Sequence, residues 1–249
     1  MKFCFISDTH SKHDEIIIPD GIDVLIHSGD ISTRGYKTEV ISFLNWFSQQ
    51  KAKYKIFIAG NHDFFFDYNW KAKTLKGQER HNHIITSQKE IKELLNGYSN
   101  VIYLNDSNIN IEDFKIHGSP VQPWFHSWAF NRMRGEEIQK HWDLIPKNTD
   151  ILITHGPPTN IGYLDLTIRD RQHVGCKDLS ETIAKIKPIL NVHGHIHEGY
   201  GVFQGEIIEN DIINPITFIN ASSLDIHYEA VNKPIVLEIV NKKIISIIS

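Results

Sequence analysis

Short apolar runs that end in polar residues recur along the chain. Five of them have the length and the near-continuous hydrophobicity of strands that are buried on both faces. They are KFCFIS at 2–7, DVLIHS at 23–28, KIFIA at 55–59, DILIT at 150–154 and ILNV at 189–192. Each run is followed at once by a polar cluster, in the order DTH, GD, GNHD, HG and HGHIH. We therefore expect polar side chains at the ends of these strands.

Helical spacing of apolar residues alternates with the predicted strands. It predicts helices over 37–50, 88–96, 136–145 and, around Leu179, Ile183 and Ile186, before Pro188. Residues 101–118 instead predict strands in succession, and so do 216–249, where PIVLEIV and KKIISIIS meet at Asn241. Strand and helix in alternation indicate an α/β layered fold. We expect a second sheet with antiparallel strands and, since no linker or repeat interrupts the chain, a single domain over 1–249.

The polar clusters together predict a metal site. In layered α/β folds, ligands bind beyond the carboxyl ends of the strands, which is where the pattern places all five clusters. Seven oxygen and nitrogen donors are too many for one ion with an open position but suit two ions that share a carboxylate. The donors are Asp8, His10, Asp30, Asn61, His155, His195 and His197.

The composition limits the classes of binding partner and the cellular location that we expect. The net charge is −4, from 26 Lys and Arg against 30 Asp and Glu, so the chain as a whole does not attract nucleic acid or anionic lipid. Cys4 and Cys176 are the two cysteines, and we expect packed thiols and no disulfide framework. The start MKFCFISDTH reaches charged residues too soon for a signal peptide, and no long apolar run follows. We expect a cytoplasmic protein that does not bind membranes.

The clusters SDTH, SGD, GNHD, THG and GHIH, in this order over 7–197, resemble the five motifs of the calcineurin-like metallophosphoesterases. The segments LIHSGD, KIFIAGNHD, PWFHSWAFN, DLIPKNTDILITHGPP and GHIHEGYG are more similar still to the metallophosphoesterase-domain-containing (MPPED) branch, which is related to class III cyclic-nucleotide phosphodiesterases. That similarity continues through FINASS and NKPIVLEI. The resemblance implies a four-layer α/β/β/α sandwich, with two mixed sheets flanked by helices, and a binuclear metal centre.

The same resemblance implies roles for individual residues. One ion would be held by Asp8, His10, Asp30 and His197, and the other by Asp30, Asn61, His155 and His195. His62 would be the catalytic histidine, with Asp63 as its partner. Some members of the branch have Gly where His195 stands, which weakens their second metal site; this chain keeps the histidine, so we expect both sites to be filled.

The expected activity is hydrolysis of a small phosphodiester, with cyclic nucleotides as possible substrates, by a hydroxide bound between the two ions. His62 would protonate the leaving group as a general acid, and Asp63 would favour its protonated form and its orientation. Imidazole and carboxylate ligands suit Mn, Fe, Zn, Co or Ni. Mn is the leading candidate because the family commonly works with it.

Three alternatives stay open. A phosphomonoesterase or protein phosphatase of this fold usually shows an arginine two residues before the motif asparagine, but this chain has Ala59 there. A nuclease is disfavoured by the net negative charge. A catalytically dormant nucleotide-binding scaffold is the third alternative, and the complete set of ligating residues argues against it.

Several other residues have two interpretations. His27 and His193 could orient the ligands or be packed imidazoles. The aromatic segment 120–135 could stack on a nucleotide base, but we favour packing over the second sheet. Surface or packing roles are likewise favoured for Arg34 and Tyr200. The oligomeric state and the natural substrate do not follow from the sequence.

Overall fold

A computed structural model describes residues 1–70, 86–209 and 212–248. The strands are β1 (Lys2–Ile6), β2 (Val24–His27), β3 (Tyr54–Phe57), β4 (Ile102–Tyr103), β5 (Ser107–Ile111), β6 (Phe114–Ser119), β7 (Gln122–Pro123), β8 (Asn131–Arg132), β9 (Ile151–Thr154), β10 (Leu190–His193), β11 (Gly201–Glu209), β12 (Ile212–Asn220), β13 (Ile235–Val240) and β14 (Lys243–Ile248). The α-helices of the described ranges are α1 (Lys37–Gln49), α2 (Gln88–Asn96), α3 (Glu136–Trp142) and α4 (Lys177–Ile186).

Twelve of the strands form two mixed six-stranded sheets, and β7 and β8 form a separate parallel pair. The first has the order β14-β13-β1-β2-β3-β4, and the second has the order β11-β12-β10-β9-β6-β5. In each sheet four neighbouring strands are parallel, β1 to β4 in the first and β6, β9, β10 and β12 in the second. The remaining strands are antiparallel to their neighbours. Because parallel strands end at the same edge of a sheet, each sheet brings several strand ends together.

The two sheets pack face to face through a shared apolar core. Phe5, Ile26 and Ile56 of the first sheet and Ile153 and Val192 of the second belong to this core and are fully buried. Because these strands are covered on both faces, their sequences are almost continuously apolar.

Helices cover the outer face of each sheet. Val40, Phe43 and Phe47 of α1 pack with Leu25 and Phe57 of the first sheet, and α2 adds Ile91 to the same cluster. On the other side, α3 and α4 pack on Leu152, Ile216 and Phe218 of the second sheet through Ile138, Trp142, Leu179 and Ile183. The layers are therefore helix, sheet, sheet and helix, and the predicted four-layer α/β/β/α sandwich is confirmed.

The predicted helices are confirmed, with ends that follow local chemistry. Helix α2 begins after Ser87, whose hydroxyl accepts a hydrogen bond from the Glu90 amide at 3.1 Å. Helix α4 ends at Lys187, which takes a left-handed conformation directly before Pro188. The third helix is shorter than predicted, since it ends at Trp142 and turns follow it.

One expectation about the sheets is wrong. We expected the C-terminal strands to belong to the second, antiparallel sheet, but β13 pairs with β1 and brings β14 into the first sheet. The reason is that Ile235, Leu237 and Ile239 alternate on one face of β13 and fill the core between the sheets. Strand β11, which the sequence did not predict, supplies the antiparallel edge of the second sheet instead. Ser249, the last residue of the predicted strand, lies outside the described residues.

Both cysteines are buried free thiols, as expected. Burial raises the pKa of Cys4 to about 12 and raises that of Cys176 as well. In the described part of the chain, no helix has the length and apolar character needed to cross a bilayer.

Candidate metal centre

The predicted ligands lie together at one edge of the sandwich, where strands of both sheets end. Asp8 and His10 follow β1, Asp30 follows β2, and Asn61 follows β3. From the second sheet, His155 follows β9, and His195 and His197 follow β10. Five of these residues line a cavity of about 510 Å³, namely His10, Asp30, Asn61, His195 and His197. Residues far apart in sequence thus share one pocket because the strands that carry them end side by side.

The first cluster contains Asp8, His10 and His197, whose ligand atoms all lie within 4.8 Å of one another. The Nε2 atoms of His10 and His197 are 3.2 Å apart. His197 Nε2 lies 3.6 Å from Asp8 Oδ1, and His10 Nε2 lies 3.7 Å from Asp30 Oδ2. Three donors of the kind that bind divalent metals therefore converge, with Asp30 beside them.

The second cluster contains Asp30, His155 and His195, again with ligand atoms within 4.8 Å of one another. His155 Nε2 lies 3.4 Å from Asp30 Oδ2 and 2.9 Å from Asn61 Oδ1. Asp30 Oδ2 is therefore close to an imidazole of each cluster. This is the position that a bridging carboxylate of a binuclear site must take.

The hydrogen bonds of the three imidazoles test whether these residues fit a cation. The Nδ1 atoms of His10, His155 and His197 lie 3.2, 3.0 and 2.9 Å from backbone carbonyl oxygens of Ser32, Ser28 and Asp225, respectively. Because a carbonyl only accepts, each Nδ1 must donate its proton, and in the neutral ring the Nε2 lone pair then faces the cluster. Metal-binding histidines are usually held in this way. The donor set fits divalent metal ions.

The buried carboxylates of the clusters favour positive charge on their neighbours. Burial raises the pKa of Asp8 and Asp30, but the neighbouring imidazoles outweigh burial and hold both pKa values below the ordinary range. Burial lowers the pKa of His155 and His197, yet Asp30 and Asp8 respectively raise each to about 9. Burial keeps the pKa of His10 near 4 and that of His195 near 3. The buried carboxylates thus attract positive charge to this site.

The backbone of the site is strained at several of the ligands. Asp8, His10, Asp30 and His195 have φ angles of 50°, 41°, 56° and 68°. Asp and His visit this left-handed region more readily than most residues, but each such residue still carries a cost that is typical of functional sites. The chain therefore turns sharply at the end of each strand to aim these side chains inward.

Close approach also explains two glycines that neighbour the ligands. A Cβ on Gly60 would collide with the Asp30 side chain and backbone, and a Cβ on Gly194 would collide with Asp8 and Ser7. The ligands from the two sheets can thus approach one another only where a side chain is missing.

His62 lies beside the first cluster with its ring aimed into the cavity. Its Nδ1 donates to the Thr33 carbonyl oxygen at 2.7 Å, and its ring stacks on Trp128 with centroids 4.4 Å apart. The ligand atoms of His10, Asp30 and His62 also lie within 4.8 Å of one another. His62 therefore presents Nε2 to whatever occupies the cavity.

The expected pairing of Asp63 with His62 is wrong. Asp63 is fully buried, and its carboxylate accepts hydrogen bonds from the backbone amides of Ile31, Ser32 and Gly60 and from the Ser32 hydroxyl. Burial and the charge of Asp30 raise the pKa of Asp63 to about 7. His62 lies in a turn and Asp63 follows it, with the Asp63 carboxylate directed into the protein, so Asp63 holds the two loops of the site together while His62 faces the cavity.

Two histidines with open interpretations lie in the interior. His27 is buried, has its Nε2 3.0 Å from the Thr9 hydroxyl and packs on Phe43. His193 is also buried, with Nδ1 3.3 Å from Asn191 Oδ1. Neither lines the cavity. Both are core imidazoles of strands that carry ligands.

Part of the aromatic segment 120–135 lies at the cavity, and part of it has a structural role. Phe125 and Trp128 line the cavity, which we did not favour, and Phe125 lies 5.0 Å from the His195 ring. Arg132 donates to His141, and Arg134 donates to the carbonyl oxygens of residues 174 and 175. The arginines are thus structural, whereas part of the aromatic face belongs to the site.

Sequence reasoning missed several other residues of the cavity. Tyr228 lies about as close to the ring of His10 as to that of His197, with centroids 5.0 and 5.1 Å apart, and Ile168, Arg169, Glu198 and Ile226 complete the wall. Tyr228 and Ile226 come from the loop before β13, which has no local pattern that marks it as part of a site. Glu198 follows a ligand directly, which was the one signal available. Tyr200 and Arg34 do not line the cavity.

Comparison with known proteins decides the family. The profile described as calcineurin-like phosphoesterase matches residues 1–199. The chain belongs to this family. Calcineurin-like phosphoesterases are phosphoester hydrolases that typically bind divalent metals, so this chain is a phosphoester hydrolase by family, and the two clusters are its candidate metal ligands.

The relatives of this calcineurin-like phosphoesterase confirm the branch. Metallophosphoesterase domain-containing protein 1 of Homo sapiens and of Mus musculus are each 41% identical over 244 residues, which cover 96% of this chain and 71% of the relative. A UPF0046 protein of Caenorhabditis elegans is 34% identical over 97% of this chain and 76% of its own length. The resemblance to the MPPED branch is therefore shown.

Solved structures confirm the fold at low sequence identity. One crystal structure is 14% identical, superposes with a TM-score of 0.61 and covers 95% of this chain and 94% of its own. The TT1561 protein of Thermus thermophilus is 12% identical, with a TM-score of 0.55 and 88% of each chain covered.

Proposed function

We propose that this protein is a binuclear-metal-dependent phosphodiesterase that hydrolyses small phosphodiesters, with cyclic nucleotides among its candidate substrates. The observation that carries the proposal is the position of Asp30, whose Oδ2 lies 3.7 Å from His10 Nε2 and 3.4 Å from His155 Nε2. One carboxylate thus lies close to both clusters, which together contain six of the seven predicted ligands; the seventh, Asn61, has its Oδ1 2.9 Å from His155 Nε2. Mn²⁺ is the proposed metal, since imidazole and carboxylate donors suit it and the family commonly uses it.

Asp8, His10, Asp30 and His197 would hold one ion, and Asp30, Asn61, His155 and His195 the other. Two divalent cations, when bound, acidify water and stabilise the charge of phosphoryl oxygens. The chain itself supplies the geometry, because the backbone carbonyl oxygens of Ser28, Ser32 and Asp225 fix the imidazole rings before any metal arrives.

His62 is the proposed general acid. Its Nδ1 donates to the Thr33 carbonyl oxygen, so His62 would act as the imidazolium, which gives the Nε2 proton to the departing alkoxide and is left neutral with its Nδ1 bond intact. A positioned imidazole contributes roughly 10²- to 10⁴-fold to such a transfer. Asp63 acts as a positioning residue here, since it ties Gly60 to the loop of Ile31 and Ser32 that flanks His62.

The diester preference is supported by what surrounds the cavity. Ala59 is fully buried and occupies the place where phosphatases of this fold have the arginine that grips a phosphomonoester dianion. Phe125, Trp128 and Tyr228 form an aromatic wall that suits an organic group attached to the phosphate. Buried free thiols suit a reducing compartment, so a cytoplasmic location is part of the proposal.

A substrate panel tests the proposal. Purified protein is loaded with Mn²⁺, its metal content is verified, and turnover is measured with bis(p-nitrophenyl) phosphate, p-nitrophenyl phosphate and the 2',3'- and 3',5'-cyclic nucleotides. We expect higher kcat/KM for the diesters. A preference for the monoester would favour a phosphomonoesterase. Nucleotide binding without turnover would favour the dormant scaffold and would contradict the proposal.

A further inference from the structure

A loop between β9 and α4 reaches the mouth of the candidate metal centre. The loop closes on itself, because Leu166 and His173 form an antiparallel bridge and the Thr167 amide donates to the Gln172 carbonyl oxygen at 3.0 Å. The tip of this loop, residues 168–171, is exposed. A closed loop of this kind holds its tip at a defined place.

Asp165 anchors the base of the loop. It is fully buried, and its carboxylate accepts hydrogen bonds from the Asn160 amide at 3.0 Å, the Ile161 amide at 3.3 Å and His173 Nδ1 at 2.8 Å. A buried carboxylate with several donors is a strong constraint on the surrounding backbone. These bonds join the two sides of the loop at its base, and the Asn220 side-chain amide, which donates to the Leu164 carbonyl oxygen at 3.2 Å, ties that base to β12.

The tip is also tied to the site itself. The Ile168 amide donates to Glu198 Oε1 at 3.0 Å, and Glu198 directly follows the ligand His197. Ile168 and the next residue, Arg169, both line the cavity. The hydrogen bond therefore sets where these two side chains stand relative to the metal ligands.

Arg169 brings a guanidinium group to the cavity. Asp30 and Glu198 line the cavity as carboxylates, whereas Arg169 is the one lysine or arginine among the described residues that line it. Within the described ranges, Arg169 makes no ion pair and no side-chain hydrogen bond, although carboxylates are nearby along the chain. An arginine without a partner at the mouth of a site for an anionic substrate has its five donors available.

We propose that Arg169 is a substrate-binding residue, whose guanidinium pairs with phosphoryl oxygens of the phosphoester that enters this cavity. The inference rests on the proposed function and extends it by assigning the recognition of the phosphate anion to the loop tip. A single cation matches the single charge of a diester. The alternative is that Arg169 is a solvated surface side chain, which would contribute nothing to phosphate binding.

Arg171 provides a matched control. It belongs to the same loop tip, carries the same charge and is exposed, but it does not line the cavity. Removing either arginine changes the net charge of the protein equally. A difference between the two variants therefore reports contact with the anion and not the long-range field.

The test measures binding of inorganic phosphate to Mn²⁺-loaded protein by calorimetry, with equal metal content verified in every variant. Loss of one charge-assisted contact at an exposed site predicts roughly tenfold weaker phosphate binding for Arg169→Ala. Arg169→Lys should lose less, because it keeps the charge but not the fork of donors. Arg171→Ala should stay within about twofold of wild type.

Three outcomes would overturn the inference: Arg169→Ala binds phosphate as wild type does, both variants weaken binding equally, or the wild type binds no phosphate. Turnover of the substrate panel is measured separately. Wild-type protein that binds phosphate through Arg169 but hydrolyses no phosphoester would contradict the proposed function alone. Where turnover is present, Arg169→Ala should raise KM with kcat nearly unchanged, as expected when binding is lost equally in ground and transition states.

Discussion

The imidazole of His62 stacks on the indole of Trp128, with ring centroids 4.4 Å apart and ring planes inclined by 29°. The Nδ1 atom of the same imidazole donates to the Thr33 carbonyl oxygen at 2.7 Å. Two elements remote in sequence thus fix the ring, and its free nitrogen faces the candidate metal ligands. This arrangement suits proton donation to a leaving group more than metal binding, since it leaves the ligand clusters complete without His62.

Removing the His62 side chain should therefore lower the rate of hydrolysis without lowering metal binding. We expect His62→Ala to retain its metal content and to lose roughly 10²-fold or more in kcat for a cyclic nucleotide, whose alkoxide leaving group needs a proton. For bis(p-nitrophenyl) phosphate, whose leaving group departs without help, the loss should be much smaller. Steady-state kinetics on both substrates provides the measurement, and equal losses would contradict the acid role.

Close contact at Gly194 predicts a steric effect on the site. A Cβ at this position would overlap the Asp8 carboxylate and the Ser7 side chain. We expect Gly194→Ala to displace Asp8, to weaken metal binding at least tenfold, as other disturbances of ligand positioning do, and to lower stability by about 1 to 3 kcal/mol. Metal titration and urea unfolding measure the two effects.

Gly97→Ala is the matched control for this substitution. Its added Cβ meets only the Leu94 carbonyl oxygen, at 3.2 Å, at the end of α2. It should leave metal binding unchanged. If Gly194→Ala behaved in the same way, the close approach between β10 and Asp8 would not be a feature of the protein in solution.

His117 predicts how stability depends on pH. It lies fully buried in β6 with both ring nitrogens unpartnered, and burial lowers its pKa to about 4. The unfolded chain, with an ordinary histidine pKa of about 6.5, binds a proton that the folded chain does not. Stability is thus complete above about pH 6.5 and falls toward pH 4, by up to about 1.4 kcal/mol per pH unit from this residue.

Urea unfolding at about pH 7 and about pH 5 measures this dependence. His117→Leu should lose less stability than wild type between the two conditions, because the residue no longer titrates. His227→Leu, which alters an exposed histidine, should keep the wild-type difference. The account of His117 is wrong if all three proteins show the same difference.

The sequence predicted the parts of the molecule that local patterns encode. Continuous apolar runs identified the central strands, and the polar residues directly after them lie at the candidate centre, because parallel strands bring their ends to one edge. The pairing of β13 with β1 was not predictable in this way, since an alternating strand can join any sheet edge that offers an apolar face.

The same reasoning explains the errors at the site. Asp63 follows His62 in sequence, but the Asp63 carboxylate binds buried backbone amides while the His62 imidazole faces the cavity, so adjacency did not mean contact. Tyr228 and Arg169 enter the cavity from loops whose positions depend on Asp165, Asp225 and the packing of whole elements. Such positions depend on the tertiary fold, so no periodic pattern in the sequence predicts them.

The proposed bridging role of Asp30 is tested most directly by metal analysis of the Asp30→Ala variant. After incubation with Mn²⁺ and removal of free metal, wild-type protein should carry two ions per chain, and so should Asp143→Ala, which removes an exposed carboxylate away from the cavity. Asp30→Ala should lose both ions, because it removes the carboxylate that the two proposed ions would share. Retention of two ions by Asp30→Ala would contradict the bridging role of Asp30, and fewer than two ions in the wild-type protein would contradict the binuclear centre.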